Sequence, residues 1–283
     1  MDHQRNHATL LPNLITMGNA VCGFVALTFV AGTHIEAGEV ARLENLRTAA
    51  WCILLGMVFD VFDGRVARMT GGSSAIGAQL DSLADLVTFG LAPAGLLVTL
   101  NRVASTGHPA WKSVVWVFGL AYFLGAMLRL ARFNVEHSPD EEDHLCFKGL
   151  PTPAAAGVVA GLVLVFFWLK EWKSWELRAI AETAPAFASA VQGAIPALLP
   201  FLAFFLGFAM VSNRFKYQHI ASGIVARKQS FDTFVYLVFG LILAVVMVEP
   251  IICLVFLGYL FWTPASRLLG TLRRSPRPGG AVE

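Results

Sequence analysis

The chain has 283 residues, of which 56% are hydrophobic and only 14% are charged, and its formal net charge is +2. A soluble domain of this length needs more polar surface than these residues supply, so the composition indicates a polytopic membrane protein. The small net charge, and the lack of any run of basic residues alternating with aromatic ones, argue against a nucleic-acid partner.

Eight segments are long and apolar enough to be membrane spans, since a helix needs about 20 mostly apolar residues to cross a bilayer. In chain order the predicted spans are 10–31, 48–68, 78–100, 112–133, 152–170, 193–212, 232–248 and 250–266. Only Glu249 and Pro250 separate the last two spans. These two spans therefore form either a tight helical hairpin or one interrupted segment.

The basic residues favour one orientation of these spans. Eight spans place both termini on the same side, and the excess of Lys and Arg on cytoplasmic segments selects that side. With both termini inside, 14 of the 21 basic residues lie on inner segments and 7 on outer ones. We predict a multi-pass protein of the cytoplasmic membrane with both termini in the cytoplasm.

Four aspartates lie near the inner ends of the second and third spans: Asp60, Asp63, Asp81 and Asp85. At 3.6 residues per turn, Asp60 shares one helical stripe with Asp63 at its edge, and Asp81 and Asp85 share another. If the stripes face each other, four carboxylates surround one small volume and repel strongly unless cations are bound. Carboxylate oxygens suit Mg²⁺ or Mn²⁺, and four of them can hold two ions, as in two-metal phosphoryl-transfer sites.

Small residues and an arginine share these stripes. Gly64, Ala67 and Gly77 let a ligand approach the backbone, and Arg68 could meet a phosphate with its planar guanidinium. Acids within a span can instead act as proton relays, as in a proton-coupled transporter. Two acids on each of two neighbouring helices favour a metal-bound phosphoryl-transfer site over that alternative.

The stretch from 60 to 85 follows the pattern D-x2-D-G-x2-A-R-x8-G-x3-D-x3-D. This pattern resembles the signature of the CDP-alcohol phosphotransferase family, and every fixed position is present. The resemblance implies a six-helix catalytic core, here the first six spans, plus two further helices. It also implies a di-metal centre on the four aspartates, Asp85 as general base, and Gly64, Arg68 and Ser74 against the CDP-linked substrate.

Polar residues also open the first span. Asn13, Thr16 and Asn19 follow one another at three-residue spacing. They could contact the cytosine, ribose or diphosphate, and we favour this role for Asn13 and Thr16. The alternative is that Asn13 caps the helix and the other two form hydrogen bonds between helices.

Further stretches bear on the acceptor alcohol. They are LPNLITMGNAVCGF (11–24), DSLADLVTFGLAPA (81–94), LRLARFNVE (128–136) and FKGLPTPAAAG (147–157). Together they resemble the integral-membrane phosphatidylserine synthases. The resemblance implies transfer of a phosphatidyl group from CDP-diacylglycerol to L-serine, with release of CMP. Glycerol 3-phosphate and inositol are the alternative acceptors.

Arg129 and Arg132 lie at the inner end of the fourth span. One could bind the serine carboxylate and the other the phosphatidyl phosphate. Alternatively, each is an interfacial anchor whose side chain extends to the membrane surface. Asn134 could add a hydrogen bond or cap the helix end.

These interpretations divide the chain into three parts. We expect a catalytic transmembrane core over 1–212, additional C-terminal transmembrane helices over 213–266, and a disordered basic tail over 267–283. The lipid bilayer is the expected environment, and a homodimer is compatible with this organisation.

Overall fold

The computed structural model describes residues 2–36, 38–70, 75–104, 108–136, 147–172, 185–212, 216–217 and 247–273. Its helices are α1 (Asp2–Gly32), α2 (Glu39–Thr70), α3 (Ala75–Asp85), α4 (Ala92–Ala104), α5 (Pro109–Glu136), α6 (Thr152–Trp172), α7 (Pro185–Val211) and α8 (Val248–Arg273). A π-helical segment, Leu86–Leu91, joins α3 to α4 without a break. The predicted all-α class is confirmed.

Five described helical stretches are long and apolar enough to cross a membrane: Pro12–Gly32, Ile76–Ala104, Pro109–Val135, Thr152–Lys170 and Ser189–Val211. Helix α2 is not among them, although it has 32 residues. The stretch Val248–Trp262 of α8 is apolar but shorter. The first six predicted spans each coincide with described helices, so a polytopic helical bundle is confirmed. The predicted span 232–248 lies almost entirely outside the described residues.

Helix α6 packs against α2, α4, α7 and α8. Ala155, Ala156 and Val159 in its first half are completely buried. Helices in a bilayer associate largely through van der Waals packing, and small residues let their backbones approach closely. The alanine-rich start of α6 therefore suits a position surrounded by other helices.

The contact between α5 and α7 depends on two glycines. A Cβ atom at Gly207 would lie 2.9 Å from the Ala121 carbonyl oxygen and 3.0 Å from Tyr122 Cα. A Cβ atom at Gly125 would lie 2.8 Å from Gly207 Cα. Because these neighbours are backbone atoms, no side-chain rotation could make room for a larger residue.

Two ion pairs join helices at one end of the bundle. Arg47 Nη2 on α2 lies 2.8 Å from Glu249 Oε1 on α8. Lys170 Nζ on α6 lies 3.0 Å from Glu39 Oε1 on α2. The start of α2, the end of α6 and the start of α8 therefore share this end. The aspartates of the second half of α2 lie toward the other end, which we call the aspartate end.

A short antiparallel strand pair lies outside the helices. Strand β1 (Phe147–Lys148) pairs with β2 (Lys216–Tyr217). Gly149 follows β1 with a φ of 93°, a backbone conformation that residues with a Cβ atom rarely adopt. The next residue, Leu150, donates its N–H to Ala209 O at 3.1 Å. The connection before α6 is thereby attached to the end of α7.

Several helices extend beyond the predicted spans. Helix α1 begins at Asp2 rather than near 10, and α7 begins at Pro185 rather than 193. Helix α8 continues through Arg273, past residue 267 where the tail is predicted to begin. Predicted spans follow apolar residues, whereas a helix can continue past the apolar part of its sequence. Residues 274–283 lie outside the described part of the chain.

We expect Gly207→Ala to destabilise the bundle, because the added methyl group would force α5 and α7 apart. Overpacking of this kind costs about 1–3 kcal/mol. Thermal unfolding of the detergent-purified protein would measure the effect. Gly258→Ala on α8 is the matched control, since no atom of the described residues lies within 4 Å of a Cβ atom there. Equal melting temperatures for the two variants would contradict the close contact.

Candidate active site

Three of the predicted aspartates meet at the aspartate end. Asp60 and Asp63 on α2 and Asp81 on α3 each offer a carboxylate oxygen, and these oxygens lie within 4.8 Å of one another. Asp63 is only 5% exposed, whereas Asp60 and Asp81 are half-buried. The structure thus brings together the acidic stripes of two helices that are consecutive in the chain.

Asp85 lies beside this group, one turn after Asp81, and is buried. Asn19 of α1 donates its Nδ2 hydrogen to Asp85 Oδ1 at 2.9 Å. The charges of Asp60, Asp63 and Asp81 are all close enough to act on Asp85. The fourth carboxylate therefore belongs to the same site but is held by a different helix. The predicted interhelical hydrogen bonding of Asn19 is confirmed.

The π-helical segment after Asp85 fixes the position of Asn19. The Thr88 hydroxyl donates to Asn19 O at 2.9 Å, and both residues are completely buried. A Cβ atom at Gly56 of α2 would lie 2.5 Å from Thr88 Cγ2 and 3.0 Å from Asn19 Oδ1. A glycine at this position lets three helices meet directly behind Asp85. Short π-helical segments inside helices are frequent at functional sites.

The carboxylate group fits a divalent cation. Asp63 Oδ2 is buried and has no hydrogen-bond partner within the described part of the chain, and an unsatisfied buried carboxylate oxygen is costly. A bound cation would satisfy this oxygen and offset the repulsion among three crowded carboxylates. A set made only of carboxylates suits hard cations such as Mg²⁺ or Mn²⁺.

Arg129 of α5 supplies positive charge next to the acids. Its Nη1 donates to the hydroxyl of the buried Thr152 at 2.5 Å, and its charge interacts with Asp85 and Asp60. Its Nε is buried and has no hydrogen-bond partner among the residues that the structure describes. The hydrogen bond to Thr152 favours a place for the guanidinium between α5 and α6 over the role of an interfacial anchor, and both roles stay predictions. The guanidinium edge that carries Nε can accept an anion.

Two other predicted residues follow on α5. Arg132 is half-buried, about one turn after Arg129. Asn134 Oδ1 accepts a hydrogen bond from Ser82 Oγ at 2.9 Å, which connects α5 to the residue after Asp81. Because α5 continues to Glu136, Asn134 does not cap the helix.

The polar residues of α1 reach the same site. Asn13 is half-buried and lies well inside α1, so its predicted alternative role as a helix cap is wrong. Thr16 is buried, donates its hydroxyl to Pro12 O at 3.1 Å and lies beside Asp63. Helix α1 therefore contacts the acidic group through Thr16 and, one turn later, through Asn19.

The other residues of the motif differ in their exposure and in how much of them the structure describes. Gly64 is exposed, and no described atom lies within 4 Å of a Cβ atom there, so among the described residues there is space beside the carboxylates. Gly77 is half-buried. Ala67 and Arg68 are described only as part of the α2 backbone, and Ser74 lies outside the described residues.

Sequence reasoning missed Thr88, Thr152 and Tyr259 at this site. Thr88 and Thr152 are buried, and a polar residue within an apolar span is itself a signal for contacts between helices. Tyr259 of α8 interacts with the charge of Arg129. No local signal marks Tyr259, because its position depends on how α8 packs against the bundle.

Comparisons with known proteins agree with this geometry. A family model described as CDP-alcohol phosphatidyltransferase matches residues 9–191. A CDP-diacylglycerol–serine O-phosphatidyltransferase of Saccharomyces cerevisiae is 34% identical over 168 residues, 56% of this chain and 56% of that protein.

Bacterial proteins of the same name are similar as well. The Helicobacter pylori J99 protein is 34% identical over 160 residues, 56% of this chain and 60% of that protein. The Bacillus subtilis protein is 35% identical over 147 residues, 51% of this chain and 70% of that protein. The match thus spans less than two thirds of the yeast and Helicobacter proteins.

We expect the purified protein to bind Mn²⁺ and Asp63→Asn to bind it at least about tenfold more weakly. Loss of a residue that only supports a metal ligand typically costs 10–100-fold in affinity, so loss of a ligand should cost no less. Electron paramagnetic resonance of free Mn²⁺ would measure the binding. Glu44→Gln, an exposed site near the start of α2, is the control. Equal affinity in both variants would remove Asp63 from the metal site.

Proposed function

Because the chain belongs to the CDP-alcohol phosphatidyltransferase family, we propose that it transfers a phosphatidyl group from CDP-diacylglycerol to L-serine. The products are phosphatidylserine and CMP. The observation that carries the proposal is the group of Asp60, Asp63 and Asp81 with Asp85 beside it. The choice of serine is supported by the names of the similar proteins.

We assign the four aspartates to two divalent cations, Mg²⁺ or Mn²⁺. When bound, such ions neutralise the charge that develops on the phosphoryl group and on the departing CMP. The unsatisfied Asp63 Oδ2 and the close approach of three carboxylates support this assignment. Thr16 lies beside Asp63, while its hydroxyl hydrogen is donated to Pro12 O.

Asp85 is assigned as the general base. The serine hydroxyl oxygen forms a bond to the phosphatidyl phosphorus, the bond from that phosphorus to CMP breaks, and Asp85 accepts the hydroxyl proton. The hydrogen bond from Asn19 occupies Asp85 Oδ1. It orients the carboxylate so that Oδ2 can face the acceptor. Thr88 in turn holds the backbone of Asn19.

The CDP-diacylglycerol site is assigned to residues of α1, α2, the following connection and α3. They are Asn13, Thr16, Gly64, Ala67, Arg68, Ser74 and Gly77. The open space at Gly64 supports the approach of a nucleotide diphosphate to the backbone. The acyl chains would extend sideways between helices into the bilayer.

The acceptor site is assigned to the end of α5. Arg129 would bind the serine carboxylate, because its Nε lacks a partner and its charge interacts with Asp85. A carboxylate bound there would place the serine hydroxyl toward the base. Arg132 is assigned to the phosphatidyl phosphate, and Asn134 completes this side of the site.

The membrane orientation and the larger organisation also remain proposals. We place the aspartate end and both termini on the cytoplasmic side of the cytoplasmic membrane. The water-soluble serine and CMP would then enter and leave the site from the cytoplasm. Residues 1–212 would form the catalytic core, and the homodimer stays a prediction. The excess of basic residues on the proposed inner segments supports this orientation.

We expect purified protein with CDP-diacylglycerol and Mn²⁺ or Mg²⁺ to release CMP when L-serine is added. Parallel reactions with glycerol 3-phosphate and with inositol would test the acceptor, and excess chelator would test the metal. If only one of these other alcohols gave CMP release, that alcohol and not serine would be the acceptor. Full turnover in excess chelator would contradict the metal-dependent mechanism and reopen the transporter alternative.

Asp85→Asn should lower kcat by at least about 10²-fold, the usual contribution of a general base. Asn19→Ala should lower it less, because the base remains but loses its orienting hydrogen bond. The measurement is CMP release at saturating substrates, with melting temperatures to check folding. Glu44→Gln is again the control. Near-normal turnover of Asp85→Asn would remove Asp85 from the base role.

A further inference from the structure

Helix α8 lies outside the matched residues 9–191, yet it packs directly on α6. A Cβ atom at Gly161 would lie 3.0 Å from Cys253 Cα, and one at Gly157 would overlap the ring of Phe256. Between these two contacts the position on α6 falls by four residues, from 161 to 157, while the position on α8 rises by three, from 253 to 256. The two helices are therefore antiparallel, in agreement with the Arg47–Glu249 ion pair at the start of α8.

The same register brings Tyr259 to the first turn of α6. If the same spacing continues beyond Gly157 and Phe256, four residues back on α6 and three forward on α8, Tyr259 lies beside residue 153, which follows Thr152. Thr152 accepts the hydrogen bond from Arg129 Nη1. Tyr259 is half-buried, its neighbour Leu260 is buried, and the Arg129 charge acts on the Tyr259 phenol.

We propose that Tyr259 is a positioning residue of the acceptor subsite, which holds the Arg129 guanidinium together with Thr152 so that its Nε edge faces the carboxylate of the acceptor. This inference rests on the proposed function. A tyrosine can support a guanidinium by accepting a hydrogen bond from one of its N–H groups at the hydroxyl oxygen. Helix α8 thereby forms one wall of the catalytic site.

The unsatisfied Nε defines what the subsite recognises. Thr152 occupies Nη1 on one side of the guanidinium, and the edge that carries Nε and Nη2 can bind a carboxylate through two parallel hydrogen bonds. Asp85 and Asp60 lie near enough for their charges to act on the same group. An amino acid held at this edge by its carboxylate would have its side-chain hydroxyl close to Asp85. An alcohol without a carboxylate would lack this contact.

The test is steady-state kinetics of Tyr259→Phe, which keeps the ring and removes the hydroxyl. We expect the KM for L-serine to rise roughly tenfold, the effect of losing one hydrogen bond to a charged group. The KM for CDP-diacylglycerol should change less than about twofold, because its assigned residues are those of α1 to α3 and Arg132, whereas Tyr259 is proposed to act on Arg129. Trp262→Phe, an exposed aromatic on the same helix, is the matched control and should leave both KM values unchanged.

A second pair of variants approaches the same guanidinium from α6. Thr152→Val should also raise the serine KM, whereas Thr152→Ser should preserve it. In an Arg129→Lys background, Tyr259→Phe should add little, since the group that it positions is gone. The same fold-increase in both backgrounds would overturn the positioning role. Melting temperatures of all variants separate these effects from loss of folding.

Different results would overturn the proposed function and the role of Tyr259. No serine-dependent CMP release by the wild-type protein would overturn the proposed function and this inference with it. An active wild-type protein with an unchanged serine KM in Tyr259→Phe would overturn the inference alone. Equal increases of both KM values in Tyr259→Phe would also overturn it, because they would indicate a general effect on the site.

Discussion

Carboxylates that are withdrawn from water beside one another need compensating positive charge or hydrogen-bond donors. This constraint organises the aspartate end of the bundle. Asp60, Asp63 and Asp81 lie close together, and each nearby polar group offsets part of their repulsion. Asn19 donates to Asp85, and Arg129 contributes a positive charge. A bound cation would supply the remaining positive charge. Because that cation would also attract phosphate oxygens, the site is suited to a substrate with several negative charges.

The packing behind the acids keeps this arrangement in place. Asp85 ends α3, and the π-helical segment that follows it inserts Thr88 between α1 and α2. The Thr88 hydroxyl binds the backbone of the residue whose side chain binds Asp85. A change in the position of the π-helical segment would therefore move Asp85 relative to the other acids. The close helix packing made possible by Gly56 is as much a part of the site as the carboxylates.

Local geometry explains what the sequence could predict. Spans follow from runs of apolar residues, and the meeting of Asp60, Asp63 and Asp81 follows from helical spacing and a short connection between two helices. The rotation of α5 about its axis does not follow from its own sequence. Its sequence therefore left Arg129 equally compatible with the membrane surface and the site interior. The π-helical segment and the place of Tyr259 depend on contacts with distant helices, and neither has a local signature.

Helix α8 connects the two ends of the molecule. Its first turn is attached to α2 by the Arg47–Glu249 ion pair, and its middle is packed against the glycines of α6. With both contacts in place, the helix cannot rotate or slide without moving Tyr259 away from Arg129. If Tyr259 acts as we propose, recognition of the acceptor depends on a helix outside the matched region, while the phosphoryl chemistry depends on α2 and α3. Acceptor recognition would then combine Arg129 and Thr152, which lie within the matched region, with Tyr259, which lies outside it.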